Sequence, residues 1–284
     1  MTRSLSQNIQ QFYDASSPLW EKVWGEHMHH GYYGPTGQQS QERRQAQIDL
    51  INEFLRWGQV EQAQAIVDVG CGIGGSSLYL ASKFAASVTG ITLSPVQAAR
   101  ATTRAYEAGL QSRTEFLVAD ALAMPFADAS FDLAWSLESG EHMPNKVQFL
   151  QECCRVLKPG GTLLFATWCH RPCQPPELPL SNQEQRLLKD IYRVYHLPYV
   201  LSLPEYEAIA QTLPLTAITT ADWSIAVAPF WQEVMTSALS PGALWGLLTS
   251  GLQTLQAALA LGMMSRGYQQ GLIRYGLLKG IKTL

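Results

Sequence analysis

Two groups of residues in this sequence could do chemistry. The first is the run VDVGCGIGGSS, Val67–Ser77. Gly70, Gly72 and Gly74 allow a tight turn and let the backbone approach a bound molecule without side-chain obstruction. The helix that must follow would offer unpaired N–H groups to an anionic group. Gly70-x-Gly72-x-x-Gly75 also satisfies the dinucleotide fingerprint, which wants an acid about 20 residues on for the ribose. No Asp or Glu occurs between Asp68 and Glu107, so the dinucleotide reading loses. The second group is the histidines, the side chains best suited to move a proton near neutral pH. Three stand in EHMHHGYYGP (His27, His29, His30), one in ESGEHM (His142, beside Glu138 and Glu141), and His170 in TWCHR. Cys169, His170 and Cys173 also invite a metal reading, but no second ligand pair at zinc spacing follows, and no metal site is expected.

The elements that must position these residues follow from hydrophobic patterning. Apolar positions at spacings of three and four predict a helix from about Gln38 to Trp57, and Gly31, Gly34 and Pro35 make the segment before it a loop. From Gln64 short apolar runs alternate with helices. Strands are expected at Ala65–Gly70, Ser87–Leu93, Thr114–Asp120, Ser130–Leu137 and Thr162–Trp168. Helices are expected at Ser76–Ala85, Pro95–Gly109 and Lys146–Leu157, with KPGG (Lys158–Gly161) as a turn. Alternating strands and helices imply an open α/β domain with helices on both faces of a parallel sheet. After the Pro-rich RPCQPPELPL, helices are expected at about Gln183–His196 and Pro204–Gln211, and strands near Leu215–Thr220 and Leu272–Gly280. If those strands pair at the sheet edge, residues 222–270 stand as an inserted lid.

Composition narrows the partners. The chain has 284 residues with 20 Lys and Arg against 23 Asp and Glu, a net charge of −3, so nothing favours a nucleic-acid partner. Charged residues make up only 15%, and most of the deficit lies in one place. Between Val234 and Ser265, 32 residues include no Asp, Glu, Lys or Arg. Leu244, Leu247, Leu248, Gly251, Leu252, Leu255, Leu259 and Gly262 fall on one helical face. Interleaved Thr, Ser and Gln argue against a membrane span. A helix over an apolar pocket, one lying on a membrane surface, and an ordinary buried helix all fit. The start, MTRSLSQNIQ, lacks a secretory h-region, and the five cysteines suit a reducing, cytoplasmic setting.

An acid two residues before the first glycine, as Asp68 stands to Gly70, resembles motif I of class I S-adenosylmethionine-dependent methyltransferases. VADAL, with Asp120 and Ala121, resembles the stretch that meets adenine in that class. ITLSPVQ is similar to a branch in which Thr and Gln, here Thr92 and Gln97, replace the ribose-binding carboxylate. FYDASSPLWEKVWGEHMHHGYY, GCGIGGSS, GITLSPVQ, WSLESGEHMPNK, TWCHR and DWSIAVAPFW together resemble the tocopherol methyltransferases of cyanobacterial and plastid type, over nearly the whole chain. No transit peptide precedes the resemblance, which favours a bacterial protein or a trimmed plastid one.

The resemblance implies a seven-stranded Rossmann-like sheet divided as an N-terminal helical cover (1–60), a cofactor-binding core (61–176) and a lid with the last strands (177–284). It implies S-adenosylmethionine held by Asp68, Gly70, Cys71, Gly72, Thr92, Leu93, Gln97, Asp120, Ala121, Leu137, Glu138 and His142. Tyr13, His30 and Tyr32 are expected at its methionine end. The expected acceptor is a small lipophilic aromatic molecule, γ- or δ-tocopherol, methylated on a ring carbon ortho to the phenol. Phenol deprotonation makes that carbon nucleophilic, with His142, Glu141 and His170 as candidate groups. Phe230 or Trp231 and the uncharged lid would receive the phytyl tail, and peripheral membrane contact is expected. The rivals are a phytylbenzoquinol or indole-nitrogen acceptor, and a non-catalytic lipid-binding protein.

Overall fold

The computed structural model describes residues 10, 11, 13, 14, 17, 21, 25–238 and 252–283, and no side chains for 235–238 and 252–260. Its frame is one seven-stranded sheet of order β3-β2-β1-β4-β5-β7-β6. The strands are β1 Ala65–Val69, β2 Ser87–Thr92, β3 Thr114–Val118, β4 Phe131–Leu137, β5 Leu157–His170, β6 Leu215–Asp222 and β7 Ile273–Lys282. All neighbours run parallel except the pairs that β7 makes with β5 and β6. The central strands read as continuous apolar runs because helices cover both faces.

Helices α1 Arg43–Gly58, α2 Gly75–Phe84, α3 Pro95–Glu107, α4 Lys146–Val156, α5 Asn182–Tyr195 and α6 Leu203–Gln211 supply those layers. Leu50, Ile51, Phe54 and Leu55 of α1 pack with Leu80, Leu133, Trp135 and Leu164 against one face. Phe149, Leu150, Cys153 and Tyr206 cover the other. The expected insertion lies between β6 and β7 as α7 Ser224–Val227, α8 Pro229–Ala238 and α9 Leu252–Gln269. Leu244, Leu247, Leu248 and Gly251 fall outside the described residues. No described helix is long and apolar enough to cross a membrane.

Two boundaries differ from the sequence expectation. Helix α1 begins at Arg43 rather than Gln38, because the Glu42 carboxylate caps it by accepting from the Arg44 and Gln45 N–H groups. The preceding Gln39 and Gln41 bond the Tyr33 and Tyr32 carbonyls instead. The KPGG stretch is not a turn between elements but part of β5. Phe131 pairs with Leu157 and Leu133 with Thr162, so the extra residues bulge out within the ladder.

The strand order reverses direction between β1 and β4, and there the carboxyl ends of the strands leave a crevice. Two short turns border it: residues 70–74 after β1, and the 3₁₀ turn Gly140–His142 after β4. The chemistry-bearing motifs are the sequences of these two turns.

Candidate active site

Asp68, next to last in β1, is almost fully buried, and its carboxylate accepts the Ser77 Oγ–H at 2.6 Å from the first turn of α2. Burial pushes its pKa up to about 7, and the Ser77 bond only partly opposes this. The bond ties strand to helix across the glycine turn. At Gly70, φ is +86°, and a Cβ would sit 2.2 Å from the Ser139 Cβ, so the two bordering turns touch here. Gly72, at φ +54°, has only the Met28 sulfur near where a Cβ would point, 3.9 Å away. The turn therefore presents bare backbone to the crevice.

That crevice encloses about 820 Å³ of open space, its solvent mouth included. It is lined by Tyr13, Asp68, Gly70, Cys71, Gly72, Thr92, Leu93, Gln97, Leu137, Glu138 and His142 of the expected set. A smaller adjoining cavity shares Gly70, Thr92, Leu93 and His142 and adds Asp120 and Ala121. Thr92 Oγ1 donates to Gln97 Oε1 at 2.7 Å at the end of β2, where a dinucleotide-binding protein would hold an acid. These two side chains offer both donor and acceptor atoms to a diol. The shared lining makes one elongated site with hydroxyl-recognising groups midway.

The turn after β4 forms the opposite lip. Glu138 stands at φ +56°, a strained backbone for a residue with a Cβ. Its buried carboxylate accepts from the His30 N–H (2.7 Å), His30 Nδ1–H (2.8 Å), Tyr275 O–H (2.9 Å) and Trp168 Nε1–H (3.2 Å). Burial opposes ionisation, but the charge and hydrogen bonds of His30 hold the Glu138 pKa below the usual value. Glu141 behaves oppositely. Burial, then the Glu138 charge, raises it to about 8, while Thr167 Oγ1–H donates to it at 2.7 Å. His142 is lowered to about 3, chiefly by burial and then by the Lys146 charge, so it is a neutral imidazole at neutral pH. Its Nε2 lies 2.6 Å from Tyr13 Oη, and its buried Nδ1 has no partner among the described residues.

Behind Glu138 the surroundings turn aromatic. Trp168, Phe230, Trp231, Tyr268 and Tyr275 place their rings 5.0–6.0 Å from the His30 ring. Phe230 and Trp231 are fully buried there. Glu138 thus stands between the crevice and a buried aromatic cluster.

Four expected site residues line neither cavity. His30 faces away from the crevice, bound to Glu138, and it is the adjacent His29 that lines the cavity. Neighbouring residues of a non-helical loop point to opposite sides, so a displacement of one residue exchanges them. Tyr32 packs its ring 5.1 Å from Trp223, held by the backbone bond of its N–H to the Ala46 carbonyl. His170 lies at the carboxyl end of β5, but its Nδ1 bonds the Arg171 carbonyl and its Nε2 faces Glu205 at 3.6 Å. Glu141, within the lip turn, is buried against Thr167 and lines neither cavity. Sequence reasoning missed Glu26, Met28, His29, Ser94 and Ser139 on the cavity wall, and Tyr275 and Tyr268 behind it. Met28 and His29 stood inside the histidine-rich loop already singled out; Tyr268 and Tyr275 carried no local signal.

A seven-stranded sheet of this order, a glycine turn after β1 and hydroxyl-recognising residues after β2 define a class I S-adenosylmethionine-dependent methyltransferase, and the Methyltransferase domain family model matches residues 67–165. The solved geranyl diphosphate C-methyltransferase of Streptomyces coelicolor shares the fold with a TM-score of 0.78, 22% identity and 99% of each chain covered. The sequence is 45% identical to a chloroplastic tocopherol O-methyltransferase of Arabidopsis thaliana, over 100% of this chain and 84% of that one. It is 32% identical to a 2-methyl-6-phytyl-1,4-hydroquinone methyltransferase of Synechocystis, over 98% and 88%. The chain belongs to the tocopherol methyltransferase family, and its methyl donor is S-adenosylmethionine.

Proposed function

We propose that this chain methylates a ring carbon of a tocopherol, γ-tocopherol foremost and δ-tocopherol as well, giving α- and β-tocopherol. The observation that carries the reading is the two-sided lip. Glu138 lines the crevice on one side and is bound by His30, Trp168 and Tyr275 of the buried aromatic cluster on the other. An aromatic acceptor with a long hydrocarbon tail suits that cluster, and a polar, cationic donor suits the crevice.

The residues present fit the donor. Gly72 leaves the crevice open where a side chain would fill it, and His29 Nε2 is a buried polar atom without a partner among the described residues. Asp68, Gly70, Cys71 and Gly72 would take its methionine end with Tyr13 and Glu138. Thr92, Leu93 and Gln97 would meet the ribose, and Asp120 and Ala121 the adenine. Bound S-adenosylmethionine supplies an activated methyl on a good leaving group. The protein's part is alignment and a dry site.

His142, which lines both cavities, is the proton acceptor in this reading. Taking the phenolic proton would raise the electron density at the ortho carbon, and S-adenosylmethionine held in the crevice would supply the methyl that this carbon takes. The ring carbon then gives up its proton to water, which restores the aromatic ring, and His142 returns the phenolic proton to the oxygen. Glu141, protonated around neutral pH, tunes the lip without reaching the cavities. Phe230, Trp231 and the uncharged 234–265 segment would hold the phytyl tail. The same segment would bring the enzyme to a membrane surface from which to draw its substrate.

A second reading, O-methylation, is favoured by the name borne by the Arabidopsis relative. Incubation with methyl-labelled S-adenosylmethionine and, separately, γ-tocopherol, δ-tocopherol, methylphytylbenzoquinol and an indole, read by mass spectrometry, tests both. Label on a chromanol ring carbon is the expected result. Label on the phenol oxygen, or only on the quinol or indole, overturns it.

A further inference from the structure

The lip turn that carries His142 is a single 3₁₀ turn, and its own hydrogen bonds are long. The His142 N–H reaches the Ser139 carbonyl at 3.1 Å, and the Met143 N–H reaches the Gly140 carbonyl at 3.2 Å. Short 3₁₀ pieces close with poor hydrogen-bond geometry, so such a turn depends on support from outside. On one side the support is packing: a Cβ at Gly140 would lie 2.3 Å from the Phe165 ring, so the turn rests directly on β5. On the other side it is Lys146. This residue opens α4 and is 1% exposed, and its Nζ donates to the Gly140 carbonyl at 2.8 Å and to the Glu141 carbonyl at 2.9 Å. The ammonium also lies 4.8 Å from the centre of the Tyr199 ring. Such a position costs the fold. A cation in the first turn of a helix opposes the macrodipole. Burial lowers the Lys146 pKa to about 7, against the pull of Glu141 and Cys169. Helix α4 does not need the lysine, because the Asn145 side chain already caps it by accepting from the Gln148 N–H.

We propose that Lys146 is a positioning residue for the methyl transfer: it grips the two carbonyls that precede His142 and so holds the imidazole where both cavities are lined by it. The inference rests on His142 accepting the phenolic proton. Bonds from an ammonium are about twice as strong as bonds between neutral groups, so the grip outweighs the long bonds inside the turn. A proton acceptor must stand within hydrogen-bond reach of the proton it takes. Without the lysine, the Glu141 carbonyl loses the donor that Lys146 supplies and the turn must shift to find another. A displacement of about 1 Å in a reacting group costs on the order of 100-fold in rate. The cofactor is spared that effect, because Asp68, Gly70 and Gly72 on β1 and its glycine turn, and Thr92 and Gln97 at the end of β2 and the start of α3, do not depend on this turn's carbonyls.

The test uses the full chain with γ-tocopherol and compares wild type, Lys146→Met, Lys146→Ala and His142→Ala. Methionine fills much the same space and offers no donor. Lys146→Met is expected to lower kcat about 100-fold, while the cofactor Kd by calorimetry and the tocopherol KM stay within about twofold. Amide hydrogen exchange at His142 and Met143 should quicken at least about tenfold, with exchange in β1 to β3 unchanged. Lys146→Ala leaves room for the missing segment. Added 1-propylamine replaces the chain from Cγ to Nζ and should recover about tenfold in kcat; 1-propanol, of equal length with one donor and no charge, should recover less than about twofold. This comparison is made within one protein, so it stands even where Lys146→Met melts lower than wild type. Equal recovery with amine and alcohol would reduce the lysine to a space filler and overturn the proposal. So would a Lys146→Met variant with wild-type exchange at His142, or a fall in cofactor affinity equal to the fall in kcat. A fully active His142→Ala overturns the acceptor assignment beneath the proposal. An impaired His142→Ala beside a fully active Lys146→Met overturns the positioning role alone.

Discussion

The two sides of Glu138 are built by different means. The crevice side comes largely from short contiguous stretches at strand ends: Asp68–Ser76, Thr92–Gln97 and Leu137–Met143 contribute most of its wall. Backbone groups and small polar side chains do the work, and each stretch is placed by the strand before it. The aromatic side gathers His30, Trp168, Phe230, Trp231, Tyr268 and Tyr275 from five separate segments spanning almost the whole chain. The crevice rests on local motifs, whereas the aromatic cluster proposed to hold the acceptor depends on tertiary packing. Sequence change can remodel the second without touching the first, which is how one fold serves different acceptors.

The contrast can be broken most severely at Gly70. Gly70→Ala places a Cβ 2.2 Å from the Ser139 Cβ at a φ of +86°. It is expected to weaken cofactor binding at least about 100-fold, equivalent to some 2.7 kcal/mol by calorimetry; an unaltered Kd would show that the two turns can part freely. Next comes Glu138, which serves both sides. Glu138→Ala strands four donors in a buried site and should cost about 3 kcal/mol of stability, seen as a Tm lower by several degrees. Cofactor binding and turnover should fall with it. If only one of the two falls, the lip is not shared.

Phe230→Ala sharpens the contrast from the aromatic side. Removing this fully buried ring should raise the tocopherol KM about tenfold, while cofactor affinity moves less than twofold. Equal effects on both would merge the two sides. The smallest effect is a pH slope. Glu141 is raised from its ordinary 4.5 to about 8 by burial and the Glu138 charge. Between those values the unfolded chain has released a proton that the folded chain keeps, so this group's contribution to stability falls as pH rises. Glu141→Gln should therefore gain Tm relative to wild type on going from pH 5 to pH 8. A difference that stays flat or reverses would mean that the carboxyl is ionised in the fold. His142, lowered to about 3, acts the other way, its contribution being lost as pH falls from the ordinary 6.5 toward 3, and is common to both proteins.

Much of the crevice was legible because its signals are local. Asp68 with three glycines, Thr92 with Gln97, and Glu138 to His142 each sit within one strand-end turn, and the α/β pattern places those turns along one edge. Prediction slipped where one residue decides a side chain's direction. His29 and His30 are equivalent in composition and neighbours in sequence, yet one lines the crevice and the other bonds Glu138. His170 does sit at the carboxyl end of β5, but its backbone pairs with Ser202 and its ring faces Glu205 in the first turn of α6. Strand position alone says which edge a residue reaches, not which neighbours will reach it first.

What the sequence determined by itself is therefore the parallel core of the sheet and its turns, because these rest on hydrophobic period, glycine conformation and contacts within a dozen residues; the cofactor class followed from the family resemblance that the motifs carry. The tertiary structure decided the rest. It alone brings Tyr275 and Trp168 onto Glu138, Tyr13 onto His142, and Asp14, Ser17 and Glu21 onto Ser94 and α3. The reason is physical: a buried polar group must be satisfied by whatever packing places beside it, and that neighbour is fixed by the whole fold, whatever the separation along the chain.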